Sequence, residues 1–184
     1  MERIQVHDKT FVPLLTADQI SLRVAALAKQ IGEDYKEKRP LLLAVLNGSF
    51  MFAADLFRLL AIDAEISFIK IASYQGMRSS GKVVTAIGME QDLSGRDVLL
   101  IEDIVDTGKT LHHFIPTLLQ QHPASVRVAT FLHKPDATVY PVSLSYVGFE
   151  IPDRFVVGYG LDYDGLGRNH HQVYQLATGD ADES

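Results

Sequence analysis

The chain has 184 residues, 47% of them apolar, and a formal net charge of −6. That length suits one domain with a filled core, and the acidic balance gives no general attraction for nucleic acid or an anionic membrane. Cysteine is absent, which excludes disulfides and thiolate chemistry and is compatible with a reducing cytosol.

Met1-Glu2-Arg3-Ile4 opens without the pattern of a signal peptide. No apolar run reaches the roughly 20 residues of a membrane helix. A soluble, cytoplasmic protein is expected. Thr16-Ala17-Asp18-Gln19 has the form of a capping box, in which Thr16 and Gln19 satisfy each other's orphan amides. Ile20, Val24, Leu27 and Ile31 follow at helical spacing, so a helix begins near Thr16. Gly32 weakens its end, and residues 36–40 are a polar stop.

Residues 41–46 form a short apolar run, the pattern of a strand buried on both faces. Asn47-Gly48-Ser49 is a turn, and residues 50–60 read as a helix packed back on that strand. Residues 65–72 are β-rich. Residues 73–82 hold two glycines and three serines and are expected to be a mobile loop. Strands are expected at 83–87 and 97–101, then a helix over 110–121 in which Pro116 should remove a backbone bond or cause a kink. Further strands are expected at 126–132, 144–147 and 155–157, and the small acidic tail 179–184 should be disordered. Strand and helix alternate through the middle of the chain. That order predicts an α/β fold with a mainly parallel sheet flanked by helices, whose ligands bind at the carboxyl ends of the strands. No repeat, linker or low-complexity segment marks a second domain.

Residues 98–110 read Val-Leu-Leu-Ile-Glu-Asp-Ile-Val-Asp-Thr-Gly-Lys-Thr. A buried strand ends in Glu102 and Asp103. Asp106 follows, and Thr107-Gly108-Lys109-Thr110 leads into a helix. Small hydroxyl residues and a glycine at a helix start expose several backbone amides together, which suits a phosphate monoester. Carboxylates just upstream can accept hydrogen bonds from vicinal sugar hydroxyls. Phosphate donors beside hydroxyl acceptors describe a ribose 5-phosphate, with Asp106 near the anomeric carbon. A Walker P-loop would need glycine at position 103, where aspartate stands. Thr-Gly-Lys-Thr taken alone is an ordinary helix cap; three acids and the cap behind one buried strand are more specific.

The segment from Val98 to Thr110 resembles the phosphoribosyl pyrophosphate motif of type I phosphoribosyltransferases, in the form of the hypoxanthine-guanine branch. The resemblance runs from about residue 41 to 170. Val45-Leu46-Asn47-Gly48-Ser49-Phe50 resembles the family's pyrophosphate loop, whose cis peptide would here join Leu46 and Asn47. Ser73-Tyr74 resembles the start of the flexible catalytic loop. His133-Lys134-Pro135 resembles the segment whose lysine reads the purine. Gly148-Phe149-Glu150-Ile151-Pro152-Asp153 through Gly160-Leu161-Asp162-Tyr163 resembles the purine-stacking and metal segment.

The resemblance implies a single phosphoribosyltransferase domain over 1–184, with a core at about 41–135 and a small hood built from the N-terminal segment and about 140–178. It implies transfer of the 5-phosphoribosyl group from phosphoribosyl pyrophosphate to hypoxanthine or guanine, with Mg²⁺ as cofactor. Glu102 and Asp103 would bind the ribose hydroxyls, directly or through Mg²⁺. Residues Asp106, Thr107, Gly108, Lys109 and Thr110 would hold the 5′-phosphate, with Asp106 also the general base at purine N7. Lys134 would donate to the purine 6-oxygen, Phe155 would stack on the ring, and the Val156 backbone would meet the base edge. Asp162, among the purine-site residues, would help place a second Mg²⁺ on pyrophosphate, and Leu46, Asn47, Gly48 and Arg168 would contact pyrophosphate. Self-association as a dimer or tetramer is implied as well.

The chain departs from the family at three places. Asn47 stands where a basic residue is common. The 74–82 loop differs in composition, and Gly165-Leu166-Gly167 replaces bulkier residues before Arg168. His112-His113 and His170-His171 are adjacent pairs without the i, i+4 spacing of two ligands on one helical face, so no zinc site is expected. The alternatives are a related transferase using a pyrimidine or xanthine, an RNA-binding regulator that keeps the nucleotide site, and a signalling receiver. Residues 133–162 argue against a pyrimidine, the acidic charge argues against RNA, and a receiver leaves residues 107–110 without a use.

Overall fold

The computed structural model describes residues 3–74, 83–88 and 90–177. The main sheet collects the apolar runs of the sequence: β3 (Leu41–Val45), β4 (Glu65–Tyr74), β5 (Val83–Ile87), β6 (Asp97–Val105), β7 (Ser125–His133) and β8 (Tyr146–Glu150). Their order is β5-β4-β3-β6-β7-β8. β4, β3, β6, β7 and β8 run parallel, and β5 is antiparallel to β4. A second, antiparallel sheet has the order β1-β2-β10-β9, built from β1 (Ile4–Val6), β2 (Lys9–Leu15), β9 (Val156–Val157) and β10 (Val173–Leu176). Chain-terminal segments thus form a hood beside the main sheet.

Helix α1 (Ala17–Asp34) starts at the capping box, with both reciprocal hydrogen bonds present between Thr16 and Gln19. Such a cap contributes about 1 kcal/mol. Its buried stripe is Ile20, Val24, Leu27, Ala28 and Ile31. With α2 (Phe50–Leu59) it covers one sheet face, packing on Leu42, Ala44, Leu99, Ile101 and Phe131. Helix α3 (Lys109–Leu119) covers the other face, where Leu111, Phe114 and Leu118 meet Leu41, Leu43, Val98 and Leu100. Consecutive residues of β3 therefore point into opposite cores, which is why that run is apolar throughout. Arg23 of α1 donates to the carbonyls of Val147 at 2.5 Å and Gly148 at 2.7 Å, which occupies part of the exposed edge of β8.

Several boundaries differ from the sequence expectation. The strand expected at 97–101 continues to Val105, because pairing with β7 persists through Glu102↔Thr130, Ile104↔Leu132 and Val105↔His133. Glu102 and Asp103 are strand residues, and the strand runs two residues past them. The strand expected at 144–147 lies at Tyr146–Glu150, where it pairs with β7. Phe155 stands outside β9 and is exposed, whereas Val156 and Val157 are buried. Ser73 and Tyr74 are the last residues of β4, paired with Val84 and Val83, so the loop does not begin at Ser73. The rest of that expected loop, and the tail at 179–184, lie outside the described residues. Helix α3 runs through Pro116 to Leu119. Pro116 is exposed and the buried face falls on other positions, so the lost backbone bond does not disturb the core.

Candidate active site

The carboxyl ends of β3 and β6 lie side by side, and the loops that leave them make the site. After β3 the peptide joining Leu46 and Asn47 is cis. The Leu46 amide donates to the Ile69 carbonyl at 2.7 Å, and the buried Ser49 hydroxyl donates to the Val45 carbonyl at 2.6 Å. This loop is pressed against β6: a Cβ at Gly48 would overlap the Asp103 carboxylate, and one at Gly160, which has φ +98°, would overlap the Gly48 carbonyl. Position 160 therefore requires glycine, and a side chain at position 48 would force the Asp103 carboxylate aside.

After β6, residues 106–110 turn into α3 with Gly108 at φ +77° as its N-cap. A second segment braces this turn. The amides of Val139 and Tyr140 donate to the Thr107 carbonyl at 3.1 and 2.9 Å. The Thr138 hydroxyl lies 3.2 Å from the Asp106 carbonyl and 3.0 Å from that of Lys134. Glu102 and residues 104–111 line a small hollow there. The start of α3 lines this hollow, with the Lys109 amide donating to the Thr107 hydroxyl at 3.4 Å, and backbone amides at a helix start suit a phosphate monoester.

Beside it lies a cavity of about 220 Å³ whose lining includes Asp103, Asp106, Lys134, Phe155, Val156 and Asp162. Lys134 is buried and forms ion pairs with Asp106 at 3.0 Å and Asp153 at 3.1 Å. Phe155 is 47% exposed, and its ring makes a T-shaped contact with that of Tyr163 at 5.6 Å between centroids. Arg168 pairs with Asp162 at 2.7 Å and donates to the Gly160 carbonyl at 2.7 Å, while Asp162 accepts from the Gly165 amide at 2.7 Å. The glycines at 165 and 167 both have positive φ, and the turn they form still brings Arg168 back to the site.

The acids of β6 are strongly perturbed. Burial, reinforced by the adjacent Asp103 charge, raises Glu102 well above the usual carboxylate range. Its Oε2 has no hydrogen-bond partner among the described residues. Burial also raises Asp103, opposed by the Ile104 amide and by Arg168. Buried hard oxygens without partners are suited to a cation or to sugar hydroxyls. Among the described residues no three His, Cys, Asp or Glu side chains already form a metal cage. A Mg²⁺ ion takes one or two carboxylates and completes its shell with water and substrate phosphates, and the partnerless Glu102 Oε2 beside Asp103 offers oxygens of that kind.

A stability prediction follows from Glu102. Its folded-state pKa lies above the unfolded value, so the free protein loses stability as pH rises from the usual glutamate range toward the folded value. Glu102→Gln removes that loss. Without ligands the variant is expected to melt higher than the wild type at neutral pH, by about 2–4 °C per kcal/mol recovered. Scanning calorimetry that finds the variant less stable at neutral pH would contradict the assignment of Glu102 as a buried, uncompensated acid.

The structure brings Glu102, Asp103 and residues 106–110 together with Lys134, Val156, Phe155, Asp162 and the 46–48 loop. Arg168 reaches the group through Asp162. Only the backbone of Ser73 and Tyr74 is described. Two residues that contact the site were not singled out from the sequence, Asp153 and Thr138. Asp153 lies 19 positions from its partner Lys134, and no spacing rule links them.

The phosphoribosyl transferase domain model matches residues 14–164. The chain is 46% identical over 158 residues to hypoxanthine-guanine phosphoribosyltransferase of Mycobacterium tuberculosis, covering 82% of this chain and 78% of that one. The crystal structure of a Staphylococcus aureus hypoxanthine phosphoribosyltransferase superposes with a TM-score of 0.84 at 36% identity, covering 90% and 91% of the two chains. A Trypanosoma cruzi hypoxanthine phosphoribosyl transferase gives 0.82 at 34% identity, covering 95% of each. The match spans the strand ends that carry the 106–110 turn and the cavity lined by Lys134, and the chain belongs to the phosphoribosyl transferase family, in its hypoxanthine-guanine branch.

Proposed function

We propose that this chain salvages purines by transferring the 5-phosphoribosyl group of phosphoribosyl pyrophosphate to hypoxanthine or guanine, giving a nucleotide and pyrophosphate. The observation that carries the reading is a hollow lined by the helix start at residues 107–110 beside a cavity lined by both Asp106 and Lys134.

The amides of residues 107–110 would hold the 5′-phosphate, and Glu102 and Asp103 the ribose hydroxyls. Phe155 would stack on the purine, and the Val156 backbone would meet its edge. Lys134 would donate to the 6-oxygen. Adenine presents an amino donor at that position, and a buried donor facing a donor is left unpaired at about 1–3 kcal/mol or more for a charge. Asp106 would accept the N7 proton as N9 forms its bond to the anomeric carbon. Asn47, Gly48 and Arg168 would receive the departing pyrophosphate, where the planar guanidinium suits a multi-oxygen anion.

Glu102, Asp103 and Asp162 are the residues that would hold Mg²⁺. That ion would supply charge neutralisation on the anionic donor. The segment entered through Ser73 and Tyr74 would exclude water from the reacting centre.

Self-association as a dimer or tetramer belongs to the same proposal. The Trypanosoma cruzi structure addresses the role of that protein's C-terminal region in its oligomeric state. Exposed Phe50 and Leu59 on α2 give this chain apolar surface to cover. No helix among the described residues is long and apolar enough to cross a membrane, and a cytoplasmic location suits the soluble substrates.

Incubation with Mg²⁺, phosphoribosyl pyrophosphate and one base at a time tests the reading. Nucleotide and pyrophosphate are expected with hypoxanthine and guanine. Product from adenine or orotate in preference to these would overturn it, and xanthine in the same series defines the breadth of the 6-oxopurine preference.

A further inference from the structure

Lys134 carries two ion pairs, and the proposed chemistry has a use for only one of the carboxylates. Its ammonium nitrogen lies 3.0 Å from Asp106 Oδ2 and 3.1 Å from Asp153 Oδ1. The lysine side chain is 8% exposed and that of Asp153 is 62% exposed. Among the described residues, the cavity lining includes Asp106 and Lys134 but not Asp153. Asp153 therefore approaches the ammonium from the solvent side, on the turn in which the Arg154 amide donates to the Pro152 carbonyl at 2.8 Å.

Two demands meet at one edge of the purine, because N7 and the 6-oxygen are neighbours on it. Asp106 must leave Lys134 to accept the N7 proton. Lys134 must remain a charged donor while it turns to the 6-oxygen. A buried ammonium that loses its only carboxylate is strongly disfavoured, so Asp106 alone could not serve both groups. An ammonium has three N–H donors, enough to keep a second carboxylate while it meets the base.

We propose that Asp153 is a positioning residue that holds the Lys134 ammonium when the purine enters, and so releases Asp106 to act on N7. This rests on the reading of Asp106 as base and Lys134 as oxygen donor. The N7 proton passes to the Asp106 carboxylate. The N9 lone pair forms the bond to the anomeric carbon, and the bond to pyrophosphate breaks with its electron pair. Lys134 and Asp153 keep their charges throughout.

Asp153→Asn keeps the shape and removes the charge, so Lys134 stays on Asp106 for more of the time. We expect kcat with hypoxanthine to fall about tenfold, the scale of one hydrogen bond to a charged group. The KM for phosphoribosyl pyrophosphate should stay within about twofold, since the phosphate loop is untouched. Asp153→Glu should recover most of the loss. With 8-azahypoxanthine, whose ring proton leaves more readily, the defect should narrow.

A variant with wild-type kcat overturns the proposal. So does an equal loss on both purines, or a loss accompanied by a raised donor KM and a lower melting temperature, each of which marks a packing role. Wild-type protein that makes no nucleotide from any 6-oxopurine overturns the functional reading as well, whereas active wild type with an unaffected variant overturns the role of Asp153 alone.

Discussion

Asp106→Asn is expected to lower turnover with hypoxanthine by about 10²–10⁴-fold, the contribution of a positioned general base. The substitution is nearly isosteric. It leaves the Asp106 backbone carbonyl beside the Thr138 hydroxyl, and it leaves the helix-start amides of residues 107–110 in place. Phosphoribosyl pyrophosphate should therefore bind with nearly wild-type affinity by titration calorimetry while single-turnover nucleotide formation collapses. Binding and turnover falling together would make Asp106 a structural member of the phosphate loop. Unchanged turnover would remove it from the chemistry.

Lys134→Met should lower kcat/KM for hypoxanthine about 10–100-fold, because a hydrogen bond from a charged donor to a buried oxygen contributes about 1.5–3 kcal/mol. The side chain keeps its length and loses its charge. The ammonium that now sits between Asp106 and Asp153 is also lost, leaving two carboxylates with no cation between them. The decisive quantity is the ratio of rates with hypoxanthine and adenine. On the proposed reading Lys134 discriminates by leaving its donor unpaired against an amino group, so the ratio should shrink in the variant. An unchanged ratio, with both substrates slowed alike, would show that base selection lies elsewhere in the cavity.

The sequence was most readable where interactions are local. Thr16 and Gln19 announce the start of α1 because a capping box is closed by residues three apart. The apolar run of β3 announces a doubly covered strand because both of its faces need apolar neighbours. The β6-to-α3 segment combines a strand, a left-handed glycine and a helix start within one stretch, so that turn could be read directly.

The hood was less readable. β2 contains Pro13 and pairs with β10, which follows it by more than a hundred residues. The pairing register shifts between Val173 and Tyr174 beside that proline, which has no N–H to give to the ladder. Neither strand has a pattern that reveals its partner. Strand β8 was displaced by two residues from its expected start for the same reason: its position is fixed by pairing with β7 and not by its own composition.

By itself, the order of residues determined the parallel α/β scaffold, the acids and amides at the end of β6, and the kind of substrate those groups suit. Local hydrogen bonding and alternation of apolar side chains are sufficient for that. The tertiary structure alone decided that Glu102 is a buried acid without a partner, that Gly48 is pressed on Asp103, and that Lys134 lies between Asp106 and Asp153. Each of these depends on segments far apart in the chain meeting at one sheet end, where burial and mutual distance set the energy of a charge.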